Sequence, residues 1–334
     1  MALLDLSRLG PRPSFAAGLC TIRELEILGF GTRSVPDLVA EGLIVRIRRG
    51  CYGLRPRAHG ETSGNREQTH EQAHERDRRE RLLQLRAYAW TQYSSNGDWT
   101  FAFAGVSAAV LHGMSLWTSE RRIHVVQRFK SSGRDHAPDV VKVFHPDAPL
   151  GVVDGLPVTS ASETVVDCLR FLPAEPAMIA CESALSRGLV DESSLLAAVL
   201  RARHRRGIAA ARAMAAMASA LSESPGETRT RMLLCSLGLP PFVQQHRVLA
   251  DGHVYRLDFA WPDLCVGLEF DGLVKYFGPE STSEVLRNER ERENALVAEG
   301  WVIVRITWAD LSKPGKVQGM LERAFARARR QRAV

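Results

Sequence analysis

Two carboxylates, Asp258 and Glu269, stand on neighbouring strand-like segments at a spacing that lets both reach one cation. Residues 254–260 alternate, so Val254, Arg256 and Asp258 share one expected face and Tyr255, Leu257 and Phe259 the other. Trp261, Pro262 and Asp263 turn the chain, and residues 264–271 return with Cys265, Gly267, Glu269 and Asp271 on one side. A hairpin bent near Pro262 and Asp263 puts Asp258 opposite residues 266–268, with Glu269 on the diagonal. Clustered carboxylates repel one another unless a cation neutralises them. An all-oxygen set suits Mg2+ or Mn2+. Such an ion activates water and stabilises charge developing at a phosphate. Lys275, one short loop later, is placed to offset phosphate charge.

The elements that must position these groups read as helix, hairpin, strand, helix, strand. Ser224, Pro225 and Glu227 open a helix as N-cap, N1 and N3. A helix over 284–298 carries Arg287, Arg290 and Arg292 among acids and stops at Gly300. Arg292 with Glu289 and Glu293 has the spacing for a helix salt bridge or for support of the site. A strand over 301–307 follows, and a strand–helix–strand of this length implies a right-handed crossover and a parallel pair.

The chain of 334 residues has room for two or three domains. Its hydrophobic content of 45% and charged content of 25% place it with globular rather than disordered chains. No run of about 18 uncharged apolar residues suggests a membrane span, and the first residues lack the pattern of a signal peptide. The expectation is a cytoplasmic protein with no membrane partner. Six scattered cysteines form no CxxC pair, which argues against a zinc knuckle and for reduced thiols. A net charge of +6 permits a nucleic-acid partner. Arginine clusters at 46–49, 76–86, 201–206 and 323–332 suggest phosphate-binding surfaces.

Toward the N-terminus, Thr21 and Glu24 form a capping-box signature ahead of Leu25 and Leu28. A second helix spans about 32–41, and 43–48 pairs with 51–54 as a hairpin carrying Arg46, Arg48 and Arg49. Helix, turn, helix and basic hairpin is the order of a winged helix, whose wing would contact DNA phosphates through these arginines. Residues 59–86 are charged and read as a linker or helical arm. Residues 87–221 read as an α+β unit with strands near 99–104, 122–127, 140–144 and 156–159. Its helices fall over 107–113, 160–171 and 177–187, and an alanine-rich one over 198–221.

These residues resemble known families. Glu227, Asp258, the Glu269-Phe-Asp271-Gly272 step, Lys275, Glu289, Arg292-Glu293, Leu296, Gly300-Trp301, Val304-Arg305 and Asp310-Leu311 resemble the ordered pattern of DUF559-type domains. Those are relatives of very-short-patch-repair endonucleases in the PD-(D/E)xK superfamily. The resemblance covers about ninety residues of the chain. It implies a restriction-endonuclease-like αβββαβ core over 222–334, with a basic C-terminal helix. It also implies metal on Asp258 and Glu269, Glu227 as an accessory acid, and Asp271 where the superfamily lysine stands. The missing lysine departs from the pattern and bears on cleavage, with Lys275 as a migrated substitute. The segment EGLIVRIRRGCYGL resembles the winged helix of abortive-infection, type IV antitoxin-like proteins. GVSAAVLHGM and GLPVTSASETVVDCL resemble the middle region of the same architecture. The fold class expected is α/β multidomain: a winged helix over 1–58, an arm over 59–86, an α+β middle domain over 87–221 and the nuclease-like unit. The function this implies is a double-stranded-DNA-binding, Mg2+-dependent endonuclease-like protein of DNA repair or phage defence. The alternative is a non-enzymatic antitoxin-like repressor with a cognate toxin.

Overall fold

The computed structural model describes residues 9, 12–54, 70–93, 99–129, 137–272 and 282–332. It is a mixed α/β arrangement with three separate sheets of three, five and four strands. Among the described residues no helix is long and apolar enough to cross a membrane.

The first sheet has the order β1-β3-β2, all antiparallel, from β1 (Leu19–Thr21), β2 (Ile44–Arg48) and β3 (Cys51–Leu54). Helices α1 (Ile22–Ile27) and α2 (Val35–Ala40) lie between β1 and β2. Both halves of the Thr21–Glu24 capping box form, with Thr21 N donating to Glu24 Oε2 at 2.7 Å. Helix and hairpin fall where the residue pattern puts them, but β1 carries no such signal. Its three residues extend only because they pair with β3. The small core, with Leu25, Leu38 and Ile44 at its centre, is completed by a neighbour: Leu19 and Cys51 pack against Ala87.

Ala87 belongs to α3 (His70–Gln92), a 23-residue helix. The charged arm and the first packed turns of the middle unit are therefore one continuous helix running through position 86. Beyond it, the second sheet has the order β6-β5-β4-β8-β7. Its strands are β4 (Ala102–Phe103), β5 (Ile123–Gln127), β6 (Val140–Phe144), β7 (Leu150–Val153) and β8 (Leu156–Thr159), with α4 (Gly105–Leu111) between β4 and β5. Strand β7 was not expected; the turn at Asp154 and Gly155, both at positive φ, folds it back on β8. Helices α5 (Ala161–Phe171), α6 (Ala174–Ser186), α7 (Glu192–Arg201) and α8 (Ile208–Met217) follow. The alanine-rich stretch, expected as one helix, is two. Gly207 breaks it at φ +81°, where a Cβ would stand 2.8 Å from the Arg170 carbonyl oxygen.

The last unit runs α9 (Pro225–Ser236), β9 (Val243–Ala250), β10 (His253–Trp261), β11 (Val266–Asp271), α10 (Thr282–Ala298), β12 (Val302–Thr307), α11 (Trp308–Leu311) and α12 (Pro314–Arg332). Its sheet has the order β12-β11-β10-β9, and β11 and β12 pair in parallel, as the crossover requires. One face packs Leu268, Val304 and Ile306 against Leu234 of α9 and Val317, Leu321 and Phe325 of α12. The other packs Leu257 and Trp301 against Leu296 of α10.

Candidate functional site

Strand alternation slips by one step where the acids are. Phe259 packs on the α9/α12 face, while Leu257 and Ala260 both pack on the α10 face. Two residues expected to share a face therefore lie on opposite faces, and Asp258 occupies the step between them. The β10/β11 ladder runs Trp261↔Val266, Ala260↔Gly267, Phe259↔Leu268. Continued by one residue it sets Asp258 against Glu269 directly, not on the diagonal. There a side chain takes over from the backbone: Asp258 Oδ2 accepts from the Phe270 amide at 2.8 Å. An irregularity of this kind re-aims a side chain at the end of a paired segment.

Glu227 comes to the same place from α9. Its amide donates to the Ser224 hydroxyl at 3.2 Å, completing the expected N-cap. Its carboxylate does more than cap. Oε2 accepts from the Glu223 amide at 3.0 Å and from Gln245 Nε2 at 2.9 Å. Burial, and after it the charge of Asp258, raises its pKa against the lowering pull of the Glu223 amide. The approach of α9 to β11 depends on Gly226: any Cβ there would overlap the Phe270 ring. A glycine between proline and glutamate reads as helix-start chemistry in the sequence; its packing role is visible only in three dimensions.

Glu269 is buried, at 8% exposure, on the α10 face. Burial raises its pKa first, and Asp258 adds to this; Arg292 and Arg305 pull it back. Arg292 Nη2 bonds Glu269 Oε1 and donates to the Arg256 carbonyl at 2.9 Å. Arg305, the register partner of Glu269 on β12, reaches Oε2 at 3.4 Å. Arg292 forms the expected helix pair with Glu289, weakly, and supports the site as well. Arg292 turns to Glu269 and keeps Glu289 only at 4.0 Å, while Arg305 takes Glu289 at 2.8 Å and Glu293 at 2.9 Å. In the sequence Arg305 stands out only as part of the family-like pattern. Nothing in a strand reading marks it as the hub of three carboxylates. Asp271 ends β11 on the same side as Glu269, across from Thr307. At the rim, Arg256 holds Glu223 bidentately at 2.8 and 2.6 Å. Lys275 lies outside the described residues.

Glu227 and Glu269 thus meet electrostatically at Asp258, whose charge raises the cost of ionising both. Every donor is a hard carboxylate oxygen, which suits Mg2+ or Mn2+. The acids are not drawn into a ready-made cage: among the described residues no three His, Cys, Asp or Glu groups converge closely enough to hold an ion. Both oxygens of Glu269 already accept from guanidinium groups.

The N-terminal arginines part company. Arg46 and Arg49 are exposed. Arg48 is not available in the same way: a register shift between Arg46 and Arg48 turns it toward the middle unit. There it pairs with Asp139 at 3.2 Å and lies over Tyr88 at 4.8 Å. The exposed residues of α2 are Pro36, Asp37, Val39 and Ala40, with no basic side chain among them.

No family model matches the chain. Two curated proteins are similar to it: the uncharacterised proteins MT2308 and Rv2248 of Mycobacterium tuberculosis, from strains CDC 1551 and H37Rv. Each is 33% identical over 184 residues, which is 54% of this chain and 66% of the relative. The match therefore spans just under two thirds of their length. Among solved structures, the RV2827C protein of Mycobacterium tuberculosis aligns over 72% of this chain and 90% of its own, at 17% identity and a TM-score of 0.37.

Proposed function

We propose that the chain is a DNA-binding protein whose C-terminal unit is a restriction-endonuclease-like phosphodiesterase acting with Mg2+ or Mn2+. The observation that carries this reading is the meeting of Glu227, Asp258 and Glu269 from α9, β10 and β11 beside a parallel β11/β12 pair. Asp258 and Glu269 would hold the ion, with Glu227 as accessory acid and Asp271 beside them. When bound, the ion supplies a nucleophilic water and charge stabilisation at the scissile phosphate. The chain's own part would be to bring these carboxylates together at the end of the sheet, with Arg292 and Arg305 beside them, and the family-like pattern assigns Lys275 to offset phosphate charge. The N-terminal unit is read as a winged helix that binds the duplex backbone through Arg46 and Arg49 on the wing, since the exposed face of α2 offers no cation.

The test is plasmid nicking by the purified full chain with Mg2+ or Mn2+. Nicking that is lost in Asp258→Ala and in Glu269→Ala is the expected result. No nicking under either metal, or variants that cut like the wild type, overturns it.

A second reading, a non-enzymatic antitoxin-like repressor with a toxin partner, is favoured by one observation: arginines already satisfy the Glu269 carboxylate without an ion. It expects promoter-fragment binding that survives EDTA and falls in Arg46→Ala and Arg49→Ala.

A further inference from the structure

A cavity of about 260 Å3 lies away from the carboxylates, where α3, the turn after α4, the end of α6 and the starts of α9 and α11 come together. Gly113, at φ +76°, makes that turn. Two guanidinium groups stand over it: Arg187 Nη1 is 3.4 Å, and Arg78 Nη2 3.5 Å, from the position a Cβ would take. Arg187 also bonds the Gly113 carbonyl. A third guanidinium, that of Arg81, lines the same space and is only 5% exposed. Arg187 and Arg78 keep contact with solvent while Arg81 is buried, so three permanently charged groups repel one another around one small space and favour an anion there.

The acids on the wall supply only part of the counter-charge, since Glu75 pairs with Arg78 and the charge of Asp77 favours Arg81, but each is shared with an arginine elsewhere. Glu75 sits at 3.8 Å from Arg78 but at 3.0 Å from Arg79, which does not line the cavity. Asp77 is bonded to Arg121, also outside it. Arg81 spends one donor on the Glu120 carbonyl. Arg78 keeps its Nε buried with no hydrogen-bond partner among the described residues. His74 and Ser115 also line the space, and the rest of the wall is apolar: Met114 is buried, and Trp117 stacks on Trp308 at 4.7 Å.

We infer that this cavity is a binding site for a small phosphomonoester. A dianion matches the excess of guanidinium charge, the guanidinium fork matches phosphate oxygens, and the Met114 and Trp117 wall takes an organic body. The volume falls just below the range of sites for drug-sized ligands. The site stands independently of the nuclease reading, because none of Glu227, Asp258 or Glu269 lines it. A bound ligand would tie α3 to both folded units behind it and so raise their stability together.

The experiment is thermal melting and calorimetric titration of the full chain in low salt with ribose 5-phosphate, inorganic phosphate and, as the uncharged control, ribose. Ribose 5-phosphate should raise the melting temperature and ribose should not. Arg78→Gln and Arg187→Gln should each weaken binding roughly tenfold, the loss of a charge-assisted contact. Arg79→Gln, on the exposed side of α3, should bind like the wild type. A short oligonucleotide with and without a 5′-phosphate separates the sources. If it competes with ribose 5-phosphate only when phosphorylated, the physiological ligand is a DNA end; if it does not compete, the ligand is a free metabolite. Equal responses to ribose and ribose 5-phosphate, or natively folded Arg78→Gln and Arg187→Gln proteins that bind as wild type does, would overturn the inference.

Discussion

Replacing Arg292 with alanine isolates the contact that most constrains the carboxylate site. Arg292 makes two bonds of different kinds. Its donation to the Arg256 carbonyl at 2.9 Å does not change with pH and contributes about 1 kcal/mol. Its bond to Glu269 is charge-assisted and largely shielded, with side-chain exposures of 21% and 10%, and contributes about 2 kcal/mol while the carboxylate is ionised. Glu269 already has a raised folded pKa, burial outweighing its arginines. A carboxyl group raised in the folded state binds more protons there than in the unfolded chain. Stability therefore falls as pH rises from the ordinary carboxylate range through the folded pKa. Without Arg292 the folded pKa rises further, so the variant loses more over a wider window. Below about pH 4 Glu269 is protonated in both proteins, and the variant should be weaker by only about 1 kcal/mol. As pH rises through the folded pKa of Glu269 the gap should widen toward about 3 kcal/mol. Hydrogen exchange of the β11 and β12 amides, compared between variant and wild type at each pH, reads the opening of this unit whatever the other two do. A difference that stays the same from acid pH to the alkaline limit of the fold would refute the assignment of Arg292 to Glu269.

Two further substitutions probe the frame. Gly226→Ala puts a methyl group into the Phe270 ring; overpacking at such a contact costs about 1–3 kcal/mol, and the displaced Phe270 amide should leave Asp258, seen as faster exchange of that one amide. Arg231→Met strands Glu182, which is fully buried and otherwise held by the Ser219 amide at 2.9 Å; the melting curve should show a loss of about 3–5 kcal/mol, mostly recovered in the double variant Glu182→Leu/Arg231→Met.

Residue pattern gave away the elements whose signals are local. The Thr21–Glu24 box, the Ser224 cap, the β2/β3 hairpin and the parallel β11/β12 pair follow from caps, turns and alternation. What stayed hidden depends on partners distant in sequence. β1 exists because β3 pairs with it. The need for glycine at the turn before α8 comes from the Arg170 carbonyl, far from Gly207 in sequence. The candidate site divides the same way. Asp258 and Glu269 are legible because each lies on an alternating strand. The slip at Asp258, the turning of Arg48 to Asp139 and the Arg305 hub are not, since alternation assumes a regular ladder and says nothing about which arginine a carboxylate will meet.

The acidic site also depends on how the last unit is seated. Glu227 is held by Gln245, a residue at φ +53° that also donates to the Leu221 carbonyl in the segment leading in from the middle unit. Its neighbour Gln244 bonds Ser219 and Ser222 of that segment. Farther along α9, Arg229 pairs with Glu175 at 2.7 Å, and Arg231 with the buried Glu182, both on α6. Arg229 also lies over the stacked Trp117 and Trp308. The helix that carries Glu227 is thus clamped to the middle unit along one side and to Phe270 on the other. A shift of α9 against α6 would move Glu227 relative to Asp258 before it disturbed the sheet. The C-terminal unit taken alone would expose Arg231 and Trp308 and lose the Ser219 and Leu221 contacts, so its carboxylate geometry is a property of the joined units.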